Sequence, residues 1–198
     1  MADDRALLEA LRAGSTEALA ELFELYSDRM YRLAAGILHD EDEAEGVVQD
    51  VFLRLIEHSD RFEGRSSLGT WLYRTTHNAC IDRLRRRKPV QPLADEAYTT
   101  DEDAGFMPTI FADWAHAPEE VFGSDEAGEV IEEAVQSLPL GLREVFILRE
   151  VEGLSTAETA EALGISEGAA KVRLHRARLE LREALSVYFA EQVSGRSE

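Results

Sequence analysis

The stretch Ser155–Leu185 (STAETAEALGISEGAAKVRLHRARLELREAL) restricts the possible folds of this chain more than any other. It reads as two helices joined by a tight turn. Ser155 and Glu158 have the spacing of a capping box, so the first helix starts near Thr156. Ala157, Ala160 and Leu163 give that helix an apolar face, and Gly164 supplies the backbone freedom to end it. Ser166 is placed to cap a second helix. Its apolar residues Ala170, Leu174, Ala177, Leu181 and Leu185 recur at helical spacing. Lys171, Arg173, His175, Arg176, Arg178 and Arg182 carry its other face. The small residues Ala160 and Gly164 allow close crossing of the two helices. The whole is a helix-turn-helix with a basic second helix, a shape that fits the major groove. An ordinary helical hairpin with a solvated basic face has about equal weight on this pattern alone. The clustering of cations at one end of an otherwise acidic chain tips the reading towards nucleic acid.

The formal net charge of −19 over 198 residues opposes binding to DNA, because phosphate contact needs positive potential. Distribution matters more than the sum. Basic residues gather in Arg61–Lys88, where Arg61, Arg65, Arg74, Arg83, Arg85, Arg86, Arg87 and Lys88 face only Glu63 and Asp82. Between Pro89 and Ser137 there is no Lys or Arg and there are many acids. Two basic islands separated by an acidic stretch describe a chain that binds free DNA weakly and needs a partner to bring it there. No run of eighteen apolar residues occurs, and the opening MADDRALLEALRAG lacks a signal-peptide core, so a soluble cytoplasmic protein without membrane insertion is expected. Cys80 is the sole cysteine, which excludes an intrachain disulfide and a cysteine-based metal cage. Its place in a helical pattern suits a small core residue.

Upstream, the periodicity predicts an all-α chain. A short helix over Asp3–Arg12 precedes one capped by Ser15 or Thr16 with an apolar stripe from Leu19 to Ile37. Residues 39–43 break it, and Asp40 or Glu43 starts a third helix with Ala44, Val47, Val48, Val51, Phe52, Leu55 and Ile56 inside. Asp42, Glu45, Gln49 and Asp50 lie towards its other side. After a polar loop around Phe62 and Gly64, a fourth helix runs from about Leu68 to Arg87. It interleaves Trp71, Tyr73, Arg74, His77 and Asn78: aromatics stack on unpaired bases, cations hold phosphate, amides read base edges. Taken singly, Trp71 or Tyr73 fits a core position better. Prolines at 89, 92, 108 and 118 mark a linker, followed by helical patterns over about 119–138 and 142–150.

These residues resemble the extracytoplasmic-function (ECF) group of bacterial RNA polymerase sigma factors. Asp42–Leu55 (DEAEGVVQDVFLRL) is similar to the family's polymerase-binding helix, Phe62–Lys88 to its promoter-melting segment, and Leu138–Leu185 to its upstream-element reader. The resemblance implies two helical domains, a region 2-like bundle over 1–88 and a region 4-like helix-turn-helix over 119–187, with an acidic flexible linker over 89–118 and a short tail over 188–198. It implies docking on the clamp coiled coil of the polymerase largest subunit through Asp42, Glu45, Gln49, Asp50 and Leu53, with the flap as a further polymerase contact. The non-template strand of the minus-10 element would be held by Phe62, Arg65, Ser66, Trp71, Arg74, His77, Asn78 and Arg85. In the minus-35 major groove Lys171, His175 and Arg176 would face bases, with Arg173 a further candidate. Arg149, Ser166 and Arg178 would hold phosphates. Ala169, Ala170 and Val172 stand where the family often has Thr, Val and Ser, and Val172 has no hydrogen bond to offer a base edge. Gly46 costs the docking helix up to about 1 kcal/mol of propensity relative to Ala. No further domain follows the reader, so control by a separate anti-sigma protein is expected, in a stress response.

Two binding alternatives remain open on the residues alone. One is a sigma-like decoy that captures an anti-sigma protein without touching DNA, which the net charge favours and the intact basic islands oppose. The other is a sensor joined to a helix-turn-helix, which leaves the Arg61–Lys88 island unexplained. An enzyme is not expected: the scattered histidines form no cluster, no phosphate loop or nucleophile constellation occurs, and neither metal nor cofactor is called for.

Overall fold

The computed structural model describes residues 4–59, 62, 64, 66–87 and 125–194. The expected linker over 89–118, Arg65, Lys88 and the end of the tail lie outside them. Among the described residues the chain is α-helical, as the periodicity predicts.

α1 (Asp4–Arg12) leads into α2 (Thr16–Leu38), which Ser15 caps by accepting the Ala18 amide at 3.1 Å. α2 ends at His39, held at φ 52° with its amide donated to the Ala35 carbonyl. Asp40 then caps α3 (Glu41–His58), accepting the Glu43 amide at 3.0 Å. Ser67 accepts the Thr70 amide at 3.1 Å where α4 (Leu68–Arg87) begins. Leu22, Met30 and Leu33 of α2, Val47, Val51 and Leu55 of α3, and Leu72, Tyr73 and Cys80 of α4 are fully enclosed together. Each aliphatic side chain so buried contributes roughly 1.5–3 kcal/mol. Enclosure also pushes the Cys80 thiol up to about 12.

Cations fasten the ends of this bundle. Arg12 donates to the Ser59 carbonyl at 2.7 Å and the Phe62 carbonyl at 2.8 Å, tying α1 to the end of α3. Arg83 donates to the Glu43 carbonyl and to Asp50, both at 2.7 Å, and Arg87 reaches Glu43 and Asp40, so the end of α4 is bound to the start of α3. A Cβ at Gly46 would stand 3.0 Å from Arg83 Nη1, so the missing side chain makes room for that guanidinium.

The second unit comprises α5 (Asp125–Ser137), α6 (Leu140–Phe146), a π-helical turn (Ile147–Val151), α7 (Thr156–Leu163) and α8 (Glu167–Ser194). The helix expected over 142–150 is thus α only as far as Phe146. Beyond it the Glu152 amide bonds the Ile147 carbonyl at 2.9 Å, five residues back, and the chain leaves through Gly153 at φ +71°. Ser155 and Glu158 form the capping box, and Gly164 closes α7 at φ +66°. Two details differ from expectation. α7 buries Thr159, Ala160, Ala162 and Leu163 and leaves Ala157 exposed. Gly164 serves the turn and not the crossing, since a Cβ there would meet nothing within 4 Å.

Ala134, Leu138, Leu142, Ala177, Leu181 and Leu185 form a core internal to this unit. Val145, Ile147, Leu148, Leu154, Ala162, Leu163 and Leu174 instead join the core of α2–α4. The two units expected from the sequence therefore pack against each other, with α7 lying on α4.

Candidate polymerase and promoter interfaces

The outer face of α3 is open. Asp42, Glu45, Gln49, Asp50 and Leu53 are all exposed, while Ala44, Val47, Val48, Val51, Phe52 and Leu55 turn inwards. Leu53 is 57% exposed, with Ile56, expected inside, also exposed one turn on and Gln49 and Asp50 one turn before. Asp50 is committed at one oxygen to Arg83.

The expected strand-holding face of α4 is divided. Asn78 and Arg85 are exposed, Ser66 is half-buried, and half-buried Trp71 meets Phe62 edge-on at 6.2 Å between ring centroids. His77 is covered by the second unit, whereas Arg74 stays half-exposed beside it. Arg74 lies 3.5 Å from Glu161 of α7, and His77 Nε2 lies 3.2 Å from Glu144 of α6.

The basic helix α8 is divided in the same way. Lys171 and His175 are exposed and Arg176 is half-buried. Arg173 turns inwards to Glu144 at 3.9 Å, so one carboxylate faces both His77 and Arg173. Three of the expected phosphate contacts have structural work: Arg178 donates to Glu150 at 2.7 Å, Arg149 donates to the Leu154 carbonyl, and Ser166 caps α8 through the Ala169 amide at 3.1 Å. A surface pair such as Arg178–Glu150 is worth about 0–1 kcal/mol, so phosphate can replace the glutamate at small cost.

Residues 22–90 match the sigma-70 region 2 family, and residues 128–181 match sigma-70 region 4. Over 178 residues the chain is 34% identical to the ECF RNA polymerase sigma factor SigW of Bacillus subtilis, spanning 90% of this chain and 94% of that protein. This chain belongs to the ECF RNA polymerase sigma factors. It is 30% identical over 184 residues to the ECF sigma factor SigM of Mycobacterium tuberculosis, covering 92% of this chain and 84% of that one. The fold is shared with CnrH, solved in complex with the cytosolic domain of CnrY, at a TM-score of 0.64 and 23% identity over 93% of this chain and 97% of that one. It is shared too with the sigma factor RpoE of Bartonella quintana, solved with the anti-sigma factor NepR, at a TM-score of 0.61 and 22% identity over 85% and 96% of the two chains. As a sigma factor the chain is a transcription-initiation factor and not an enzyme.

Besides Glu144, the sigma factor holds a buried acid, Glu152, that its sequence position alone does not single out. Glu152 lies at the end of the π-helical turn with a side chain 1% exposed. Its carboxylate accepts Arg29 Nε and Arg32 Nε of α2, each at 2.8 Å, and the Tyr73 hydroxyl of α4 at 2.9 Å. Arg29 also donates to the Glu152 carbonyl at 2.9 Å. Burial first, and the adjacent Glu152 charge second, push the Tyr73 hydroxyl upwards, which keeps it a donor. A signal for this residue exists in the sequence. Glu152 follows Leu148 by four residues and Val145 by seven, the spacing of one helix face, so an acid stands where the apolar period points inwards.

Proposed function

We propose that this sigma factor acts in the cytoplasm, docks on core RNA polymerase through the outer face of α3, opens and holds the minus-10 element on α4, and reads the minus-35 element with α8. The observation that carries this reading is the open α3 face, where Leu53 stands exposed among Asp42, Glu45, Gln49 and Asp50. An exposed apolar anchor on an acidic helix face suits a complementary protein surface: the anchor supplies desolvation and the charges supply orientation. On α4, Asn78 and Arg85 are exposed to a displaced strand, and Trp71, two turns before Asn78 on the same helix, offers a stacking surface. On α8, Lys171, His175 and Arg176 are the candidates for base edges. An anti-sigma protein is the proposed controller. CnrH and the Bartonella quintana RpoE were each solved with a partner, in the latter an anti-sigma factor.

The docking assignment is tested by charge reversal. Glu45→Lys changes an exposed position, where stability rarely shifts by more than about 0.5 kcal/mol, whereas Asp50→Lys also gives up the bond to Arg83, so the fold of each variant is verified separately. Together they are expected to weaken core-polymerase affinity at least about tenfold, or about 1.4 kcal/mol. Circular dichroism and run-off transcription accompany the binding titration. Unchanged affinity would remove α3 from the interface. Normal core binding with no transcript from any promoter of a genomic library would favour the decoy instead.

A further inference from the structure

We infer that Arg12 of α1 is a positioning residue for the minus-10 element: its guanidinium clamps the turn after α3, so that Phe62 stands against Trp71 and the two rings meet the displaced strand as one surface. The inference rests on the role proposed for α4 above and extends it to a residue of α1.

Three observations carry it. First, α3 ends without a closure of its own. Ser59 follows it in right-handed helical conformation at φ −52° and is 5% exposed, so water offers its backbone little. Carbonyls at such a helix end need donors from elsewhere. Arg12 supplies them. Its Nε and Nη2 donate to the Ser59 carbonyl at 2.9 and 2.7 Å, and Nη2 donates to the Phe62 carbonyl at 2.8 Å. The Phe62 amide closes the turn onto the Ser59 carbonyl at 3.2 Å. Second, α1 is itself anchored. Leu8 and Leu11 are buried in the bundle core, and the Tyr26 hydroxyl donates to Asp4 at 2.7 Å, so Arg12 projects from a fixed element. Third, the turn reaches the proposed site through one side chain. The Phe62 ring meets Trp71 edge-on at an interplanar angle of 81°, and both residues are half-buried, so part of each stays open to a base.

A guanidinium suits this task and an ammonium does not. The planar fork presents its donors in fixed directions and reaches two carbonyls at once, whereas a lysine is a point charge on a flexible stem. Positive charge at the end of α3 is favourable in either case, but charge alone does not fix the Phe62 backbone. A surface held in place before the strand arrives binds it at a smaller ordering cost.

The experiment uses holoenzyme assembled from the full chain and a fork-junction promoter with a single-stranded minus-10 non-template strand, prepared as a panel of single-base variants. Arg12→Ala is expected to lower base preference in that element about tenfold, within the range one good base contact supplies, with core-polymerase affinity at the wild-type value. Arg12→Lys, which keeps the charge without the fork, is expected to fall between the two. In a Phe62→Ala background Arg12→Ala is expected to add nothing, because its action passes through Phe62. Circular dichroism verifies the fold of each variant. Wild-type preference in Arg12→Ala would overturn the inference. Full recovery by Arg12→Lys would overturn the fork. Losses that add in the double variant, or preference and core affinity falling together, would overturn the route through Phe62. Wild-type preference in both Phe62→Ala and Trp71→Ala would remove the α4 reading itself, and the role of Arg12 with it.

Discussion

Arg176 and Arg178 stand two residues apart on α8 and are suited to different tasks. Arg176 is half-buried and, in the proposed docking, turned towards base edges; Arg178 rests on Glu150 at the surface. A bidentate base contact supplies about 1–3 kcal/mol of discrimination, whereas a phosphate contact supplies none. Arg176→Ala is therefore expected to relax preference at one position of the minus-35 element. Arg178→Ala is expected to weaken all sequences alike and lower the salt slope by about one unit. Holoenzyme binding to single-base promoter variants at several salt concentrations separates the two. Residue identities at such surfaces were legible in the sequence, since Leu53, Asn78, Lys171 and His175 are exposed as a helical period predicts. Glu144 and Glu152 were not, because what assigns them is a set of partners tens of residues away. Gly46 shows the same limit: it reads as a propensity defect until Arg83 is seen beside it.

At the scale of elements, the helix starts were legible because caps are local. Ser15, Asp40, Ser155 and Ser166 each bond an amide three residues ahead. The π-helical turn was not, because its partners are distant in sequence: Ile147 and Leu148 pack into the α2–α4 core and Glu152 bonds Arg29, Arg32 and Tyr73. The capping box on α7 has a pH signature. The Ser155 hydroxyl, then the Ser155 amide, hold the Glu158 carboxyl below its ordinary 4.5. A carboxyl depressed on folding stabilises fully above its unfolded value and loses that contribution as pH falls through its folded value. Glu158→Gln is thus expected to cost about 0.5–1 kcal/mol at neutral pH, with the difference from wild type shrinking below about pH 4.5. Paired urea titrations across pH 3.5–7 measure it; a difference constant with pH would assign the cap's worth to the serine alone.

Over the whole molecule, the shared core makes a thermodynamic claim. Leu148 and Leu163 lie in one apolar group with Leu22 and Leu33, so unfolding of the free chain is expected to be a single cooperative transition. A Cβ at Gly36 of α2 would press on Ile147, so Gly36→Leu loads the junction with a whole side chain and is expected to split the transition into two, one for the α1–α4 bundle and one for the α5–α8 unit. Calorimetry distinguishes these, and two transitions already in the wild type would mean that the junction contributes little.

The double engagement of Glu144 also bears on efforts to retarget this sigma factor to new promoters. Arg173 answers to two masters, the groove it is proposed to enter and the carboxylate it faces at rest. Any exchange there alters recognition and the packing of α8 against α6 together, so a screen for new specificity would return destabilised variants among its hits. Lys171 and His175 lie on the same helix, exposed and away from that carboxylate. They are the positions where a new promoter vocabulary can be written without also disturbing that packing.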